Sequence, residues 1–420
     1  MKKILMIGGG ISGQAAAQLA TALDIECCIV NDTECAGAKL SEIFSGVDLV
    51  VVSPGVTGNS RLLQYAVAEK FEVISELEFG IRHFPGKLLA VTGTNGKTTT
   101  VELTEFLLKK LQVNAVAAGN IGLGLAAVAA GIIRGEFTDA EKMVAVLEVS
   151  SFQLEHTQKI PALAAVLLNV ESDHINRYAG GLSEYRAVKE RIFNAVPEDK
   201  RFYGMSMTGQ KYSCGFEILN DTLYFQGKTL LDLHKTALAA EHNQENLLAA
   251  LSLVASVVPL ATRLNELTNA LQEFKTGDHR ISPVAEINGV KYIDDSKATN
   301  PAAVIAAVKS LEKMPCKNIV LIAGGLDKDM DFTPLATLTG YLKKVIVYGR
   351  CGSKVAGVFT DEVPVFDAKT DFALAVREAA ATAIAGDTVL LSPAAASMDM
   401  FKDYKERGNV FAQLVRALPQ

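Results

Sequence analysis

The sequence predicts an α/β protein built from three parallel-sheet domains. Three observations carry this expectation. Apolar runs of strand length alternate with helix-length stretches from end to end, the pattern of βαβ units. Two strand–loop–helix junctions, "KKILMIGGGISGQ" and "LLAVTGTNGKTTT", hold glycine loops at the strand ends where such sheets bind ligands. The chain's 420 residues, 49% hydrophobic and 21% charged, suffice for two or three buried cores.

The first block, residues 1–85, opens on the buried strand "KKILMIG", followed by the helix "ISGQAAAQLATAL" and the strand "IECCIV". A third strand, "VDLVVVSPG", leads into a helix over about 59–70. The second block, 86–276, has the strands "KLLAVTG", "KMVAVLEV" and "LAAVLLNV". Its alternating stretch "YSCGFEILNDTLYFQGKTL" turns at Asn220-Asp221, which marks a small antiparallel hairpin. A long helix over about 243–258 closes it. The third block, 277–420, adds the buried strands "NIVLIAGG", "KKVIVYG" and "DTVLLSP".

A net charge of −6 and the lack of an extended basic run argue against a nucleic-acid binder. The six cysteines, Cys27, Cys28, Cys35, Cys214, Cys316 and Cys351, form no C-x-x-C pair and read as buried thiols in a reducing cytoplasm. The start "MKKILMIGGG" is too short in its apolar run for a leader peptide. The longest apolar run, "LLAALSLVASVVPLA", is shorter than a membrane span and reads as buried helix.

The loop Gly93-Thr94-Asn95-Gly96-Lys97-Thr98 follows a strand and opens a helix. Glycines let backbone N–H groups turn toward an anion, and the helix start adds partial positive charge. Lys97 is placed for β/γ-phosphates and Thr98 for Mg²⁺, so the domain reads as P-loop ATPase-like. The spacing departs from G-x-x-x-x-G-K-[ST]: Val91 stands where that pattern has its first glycine. Gly8, Gly10 and Gly13 satisfy G-x-G-x-x-G, and Asp32 ends the next strand. That Rossmann-like signature fits a dinucleotide, but the same physics holds any pyrophosphate.

"TGTNGKTTT" resembles the ATP loop of the Mur ligase family, which builds the peptidoglycan peptide. The resemblance continues in order through "GNIG" (119–122), "EVSSFQLE" (148–155), "NVESDHINRY" (169–178), "YRAVKERIF" (185–193), "DHRIS" (278–282), "DDSKATNP" (294–301), "GGLDKDMDF" (324–332) and "SPAAASMDMFKDYKERG" (392–408). The family implies an ATP-dependent amide ligase, and the third-block motifs resemble its D-glutamate-adding branch. The implied substrates are ATP, UDP-N-acetylmuramoyl-L-alanine and D-glutamate. The implied chemistry is an acyl phosphate, with two Mg²⁺ ions, in a cytoplasmic monomer that binds neither nucleic acid nor membrane. The third block is implied to close over ATP.

The resemblance also assigns residues. Gly10, Ile11, Ser12 and Gly13, with Ser53, Pro54 and Gly55, would hold the UDP pyrophosphate; Asp32 and Thr33 lie near the uracil, Asn120 near the muramoyl end. Gly93 to Thr99 (including Thr99), Asn246, Arg280 and the ribose-binding Asp295 would take ATP. Glu148 ends an apolar strand and is a Mg²⁺ ligand with Thr98 and the accessory Ser150; His174, which also contacts the UDP substrate, and a carbamylated Lys189 would hold a second ion. Read without the family, Lys189 is a solvated lysine on a charged helix. Lys297, Thr299, Lys328, Ser397, the backbone at Met398, and Tyr404 would receive D-glutamate. "GGLDK" places Leu326 where some members carry an acid, with Asp327 one residue later.

Three rival readings stand beside this one. A folate-glutamylating ligase lacks the separate N-terminal UDP-binding block. A dinucleotide-dependent oxidoreductase needs a hydride-transfer site that no later motif offers. A non-catalytic nucleotide-binding regulator would release no phosphate.

Overall fold

Four parallel strands form the first sheet: β1 (Lys3–Ile7), β2 (Glu26–Val30), β3 (Leu49–Val52) and β4 (Val73–Ser75), in the order β2-β1-β3-β4. This is a computed structural model, which describes residues 1–420 apart from 36, 38, 172, 174–176, 205–206, 208–213, 276, 313, 328–329, 360–361 and 420. Alternation along β1 splits the core in two. Ile4 and Met6 face α1 (Ile11–Ala22) and α4 (Glu76–His83), whereas Leu5 and Ile7 face α2 (Leu40–Ile43) and α3 (Arg61–Ala68). The sequence reading missed β4 and α4, whose "VIS" run is too short to show a period. It also overran α3 at both ends, since the Ser60 hydroxyl accepts from Leu63 N and caps the helix.

The second sheet orders β5 (Lys87–Thr92), β6 (Ala115–Gly119), β7 (Val144–Glu148), β8 (Ala164–Leu167) and β9 (Arg201–Tyr203) as β6-β7-β5-β8-β9, all parallel. Helices α5 (Lys97–Lys110), α6 (Leu125–Ile133), α7 (Ser151–Glu155) and α8 (Gly181–Glu190) belong to this stretch. α6 does not cover its own sheet alone: Ala126, Ala129 and Ala130 complete the core beside Ala15, Leu19 and Phe79 of the first. The small alanines let α6 approach closely, and the two sheets share one compact unit.

The expected hairpin has three strands, β10 (Phe216–Leu219), β11 (Thr222–Phe225) and β12 (Lys228–Asp232). Asn220 and Asp221 take φ of 49° and 57°, which a two-residue primed turn needs. The following helix is Glu241–Ala255, starting two residues earlier than expected, with Ala240 rather than an asparagine at its N-cap.

A second compact unit holds the third sheet. Its strands are β13 (Ser282–Ile287), β14 (Val290–Asp294), β15 (Ile319–Gly324), β16 (Leu342–Tyr348), β17 (Val365–Asp367) and β18 (Thr388–Leu391), in the order β13-β14-β18-β15-β16-β17. Only β13 pairs antiparallel, on the edge. Its central strands are apolar on both faces, as a sheet covered by helices on both sides requires.

All six cysteines are free thiols, but the expectation that they are buried holds only for Cys351; Cys28 and Cys316 are exposed. No described helix is long and apolar enough to cross a membrane.

Candidate functional site

The loop after β5 turns on two glycines in left-handed backbone, Gly93 at φ 156° and Gly96 at φ 83°. Gly96 is the N-cap of α5 and brings no capping side chain, so the helix start, with its dipole, is suited to receive an anion. Asn169, two residues past β8, pins the loop: its Oδ1 accepts from Thr94 N (3.0 Å) and Asn95 N (2.8 Å). The Lys97 ammonium folds over the loop and donates to Gly93 O and Thr94 O, both at 2.8 Å. Thr99 is buried in the first turn of α5.

Glu148 ends β7, beside β5, and is 3% exposed. Its Oε2 accepts from the Thr98 hydroxyl and its Oε1 from Asn120 Nδ2, each at 2.8 Å. Asn120 N also donates to Glu148 O at 2.8 Å. A buried carboxylate, a hydroxyl and an amide therefore meet at the mouth of the phosphate loop. Hard oxygen donors of this kind suit Mg²⁺. Asn246 reaches the same loop from helix Glu241–Ala255: a Cβ on Gly96 would lie 2.2 Å from its Oδ1.

Ser150 stands two residues beyond Glu148, where its hydroxyl accepts from Gln153 N and completes a capping box for α7. Lys189 overturns the reading of its sequence alone. It is 1% exposed, with its Nζ donating to Gly93 O at 2.8 Å and lying 4.6 Å over the Tyr185 ring. Its helix looked solvated because charged neighbours flank it; the buried face shows only in three dimensions. Among the described residues, no three His, Cys, Asp or Glu side chains gather as a metal cluster. His174 and Lys328 lie outside the described residues.

The N-terminal glycines build a second candidate site. A Cβ on Gly13 would lie 2.1 Å from Gly8 O, so only glycine lets α1 start so near β1. Ser53 Oγ donates to Gly8 O at 2.9 Å, tying the turn after β3 to the turn after β1. Gly10, Ile11 and Ser12 lie at the start of α1, and Ile11 is 84% exposed. A cleft of about 360 Å³ opens at these strand ends, lined by Gly8, Asn31, Asp32, Gly55, Thr57 and Arg61 among others. Asp32 Oδ1 accepts from Leu62 N, near the start of α3. Thr33 and Pro54 flank lining residues in sequence. Sequence reasoning missed Asn31, Thr57 and Arg61, since no motif marks them.

In the second unit, Asp295 follows β14 and is buried; Oδ2 accepts from Ser392 Oγ (2.7 Å) and Oδ1 from Ile281 N (3.3 Å). Burial pushes its carboxyl up to about 7. Arg280 is half-buried nearby. Lys297 Nζ lies 4.8 Å over the Tyr404 ring and 3.3 Å from its hydroxyl. Thr299 is half-buried, Ser397 buried and Met398 61% exposed. Sequence reasoning also missed Arg407, which is fully buried. It donates to Ser296 Oγ (2.9 Å), Ser296 O (2.7 Å) and Ala395 O (3.0 Å), joining the loops that carry Lys297 and Ser397.

Residues 91–213 match the family model described as the Mur ligase middle domain, and residues 279–395 match the Mur ligase glutamate ligase domain. The UDP-N-acetylmuramoylalanine–D-glutamate ligase of Nitrosospira multiformis is 37% identical over 412 residues, 91% of this chain and 85% of that one. That of Thermoanaerobacter pseudethanolicus is 34% identical over 99% of this chain and 98% of its own. Among solved structures, a UDP-N-acetylmuramate–alanine ligase from Thermotoga maritima superposes with a TM-score of 0.62 at 17% identity, covering 99% of this chain and 100% of that one. The MurF ligase of the same organism, in complex with ADP, gives 0.56 at 17%, covering 89% and 90%. At such identity these two likenesses establish the fold alone.

Proposed function

This chain belongs to the Mur ligase family and is a ligase, and from that premise we propose that it adds D-glutamate to UDP-N-acetylmuramoyl-L-alanine at the expense of ATP, in the cytoplasm, for peptidoglycan synthesis. The observation that carries the reading is the meeting of Thr98, Glu148 and Asn120 at the phosphate loop. The names of the two relatives, which cover nearly the whole chain, support the choice of amino acid.

We divide the labour by block. Residues 1–85 take the UDP group in the cleft beside Gly13 and Gly55, residues 86–276 take ATP, and residues 277–420 take the amino acid. Lys97 and the first-turn N–H groups of α5 hold the ATP phosphates, with Asn246 packed behind Gly96, and the family assigns Arg280 to the same nucleotide. Two anions must then meet: the γ-phosphate and the alanine carboxylate. Unit charges of like sign ~4 Å apart repel by ~4 kcal/mol at an effective dielectric of 20. Thr98 and Glu148 would hold one Mg²⁺, and His174 with carbamylated Lys189 a second, and these ions would supply the opposing charge.

A carboxylate oxygen attacks the γ-phosphorus, ADP leaves, and an acyl phosphate results. The D-glutamate nitrogen then attacks the acyl carbon, the C–O bond to phosphate breaks, and the amine gives up its proton as phosphate departs. Lys297, Thr299, Lys328 and Ser397 orient the D-glutamate carboxylates, and Tyr404 packs beside them. Positioning supplies most of the acceleration in such transfers.

The test is a phosphate-release assay with UDP-N-acetylmuramoyl-L-alanine and, in turn, D-glutamate, L-glutamate, L-lysine and diaminopimelate. Release with D-glutamate alone is expected. Equal release with another amino acid overturns the substrate, and no release with any of them overturns the reaction.

A further inference from the structure

Arg177 lies where the two halves of the first unit meet. Its Nε and one Nη donate to the two oxygens of Glu155, at 2.8 and 2.7 Å, a bidentate fork. The same Nη donates to Val56 O at 2.9 Å. The guanidinium lies 4.3 Å over the Phe152 ring. The pair is mostly withdrawn from water, with the side chains 16% and 20% exposed. Tyr178 adds a hydroxyl to Glu155 Oε1 at 2.9 Å.

Each end of this bridge leads to a site. Glu155 and Phe152 lie on α7, which starts three residues after Glu148 and is closed at its N-terminus by its capping box. Val56 lines the cleft of the first sheet and ends the turn whose Ser53 donates to Gly8 O. One side chain thus joins the proposed UDP-binding turn to the arm that carries the carboxylate at the phosphate loop. We propose that Arg177 is a positioning residue that sets the register between the UDP-binding turn and the Glu148 arm, so that a substrate anchored in the cleft presents its far end to the phosphate loop. This rests on the reading of the cleft as the UDP site.

Arg177 is not what keeps the two sheets together. Ser75 Oγ meets Thr157 Oγ1 at 2.7 Å, Ser75 N donates to His156 O at 2.7 Å, Gln158 N donates to Glu78 Oε2 at 2.6 Å, and α6 packs into the first core. A variant at Arg177 therefore keeps the fold while releasing the turn. Lysine keeps the charge but not the fork, and cannot hold Glu155 and Val56 together.

The experiment compares the parent with Arg177→Ala, Arg177→Lys and Glu155→Gln. It reads binding of UDP-N-acetylmuramoyl-L-alanine by calorimetry, KM for each substrate by phosphate release, and Tm. Expected is a tenfold or greater rise in Kd and KM for the UDP substrate in Arg177→Ala, a smaller one in the other two, KM for ATP within twofold, and Tm within a few degrees. Arg177→Ala combined with Glu155→Ala is expected to be no worse than Arg177→Ala, because the two act as one unit. A Kd and KM for the UDP substrate within twofold of the parent overturn the proposal. So does a uniform rise in all three KM values with a large fall in Tm, which marks a merely structural role. A parent that does not bind the UDP substrate at all overturns the reading of the cleft first, and the proposal with it.

Discussion

The Thr98 hydroxyl donates to Glu148 Oε2 at 2.8 Å, while Asn120 holds the other oxygen at the same distance. Two side chains thereby hold the acid in one orientation at the strand end. Glu148→Gln keeps the shape and loses the charge. We expect kcat to fall by about two to three orders of magnitude, with Tm nearly unchanged. Thr98→Val removes the hydroxyl alone and should raise the Mg²⁺ concentration needed for half-maximal phosphate release. Parent-like Mg²⁺ curves in both variants sink the metal assignment.

Gly13 has no room for a Cβ, which would sit 2.1 Å from Gly8 O. Gly13→Ala must push α1 away from β1, at a stability cost of about 1–3 kcal/mol. Affinity for the UDP substrate should drop at least tenfold while KM for ATP stays within twofold. Calorimetry with each nucleotide separates the two effects, and equal losses for both would contradict the division of labour.

Arg407 is a buried cation whose donations go to Ser296, Ala395 and Tyr348, none of them a carboxylate. Its substitution by methionine keeps much of the volume and leaves those oxygens without their donor, at ~3 kcal/mol. The loops bearing Lys297 and Ser397 then loosen. KM for D-glutamate is expected to rise at least tenfold, well beyond any change in KM for ATP. An unchanged D-glutamate KM would reduce Arg407 to a core residue.

These side chains show what was legible in the sequence. Glu148 and Lys97 could be placed because an apolar run and a glycine loop fix where they stand along a strand or a helix start. The three sheets were legible for the same reason: buried parallel strands read as apolar runs. Asn169, Arg177 and Arg407 stand inside motifs whose sequence shows no role for them, since their partners lie far along the chain: 75, 121 and 111 residues in the bonds to Thr94, Val56 and Ser296. α6 was invisible as a shared element because its alanines pack against a sheet from another block. Local period gives elements, whereas side-chain partnerships need the topology that brings strand ends together.

Lys189 is enclosed by Gly93 O and the Tyr185 ring, so its ammonium is desolvated next to the phosphate loop. The resemblance to the family makes this lysine the amine that would take up CO₂ as a carbamate. Intact-mass measurement of enzyme incubated with bicarbonate should show one added CO₂, absent from Lys189→Ala, and that variant should lose most of its turnover. A bare amine in the parent together with normal turnover in the variant removes the carbamate from the mechanism.

Glu76 offers a prediction about pH. Its carboxyl is enclosed between α4 and the start of α6, where Oε1 accepts from Ala126 N at 3.0 Å and Oε2 has no partner among the described residues. Burial pushes it up to about 7 from an ordinary 4.5, against the weaker pull of the Ala126 N–H. A folded-state value above the unfolded one means that the folded protein holds the proton more tightly. The contribution of Glu76 is then fully present below pH about 4.5 and is lost as pH rises through about 7. Glu76→Gln removes that loss while keeping an acceptor for Ala126 N. Its stability relative to the parent should therefore climb across this window and level off above it, by an amount on the order of 2–3 kcal/mol. Urea unfolding of both proteins from pH 4 to pH 8 measures the difference, and parallel curves would mean that Glu76 ionises alike in both states.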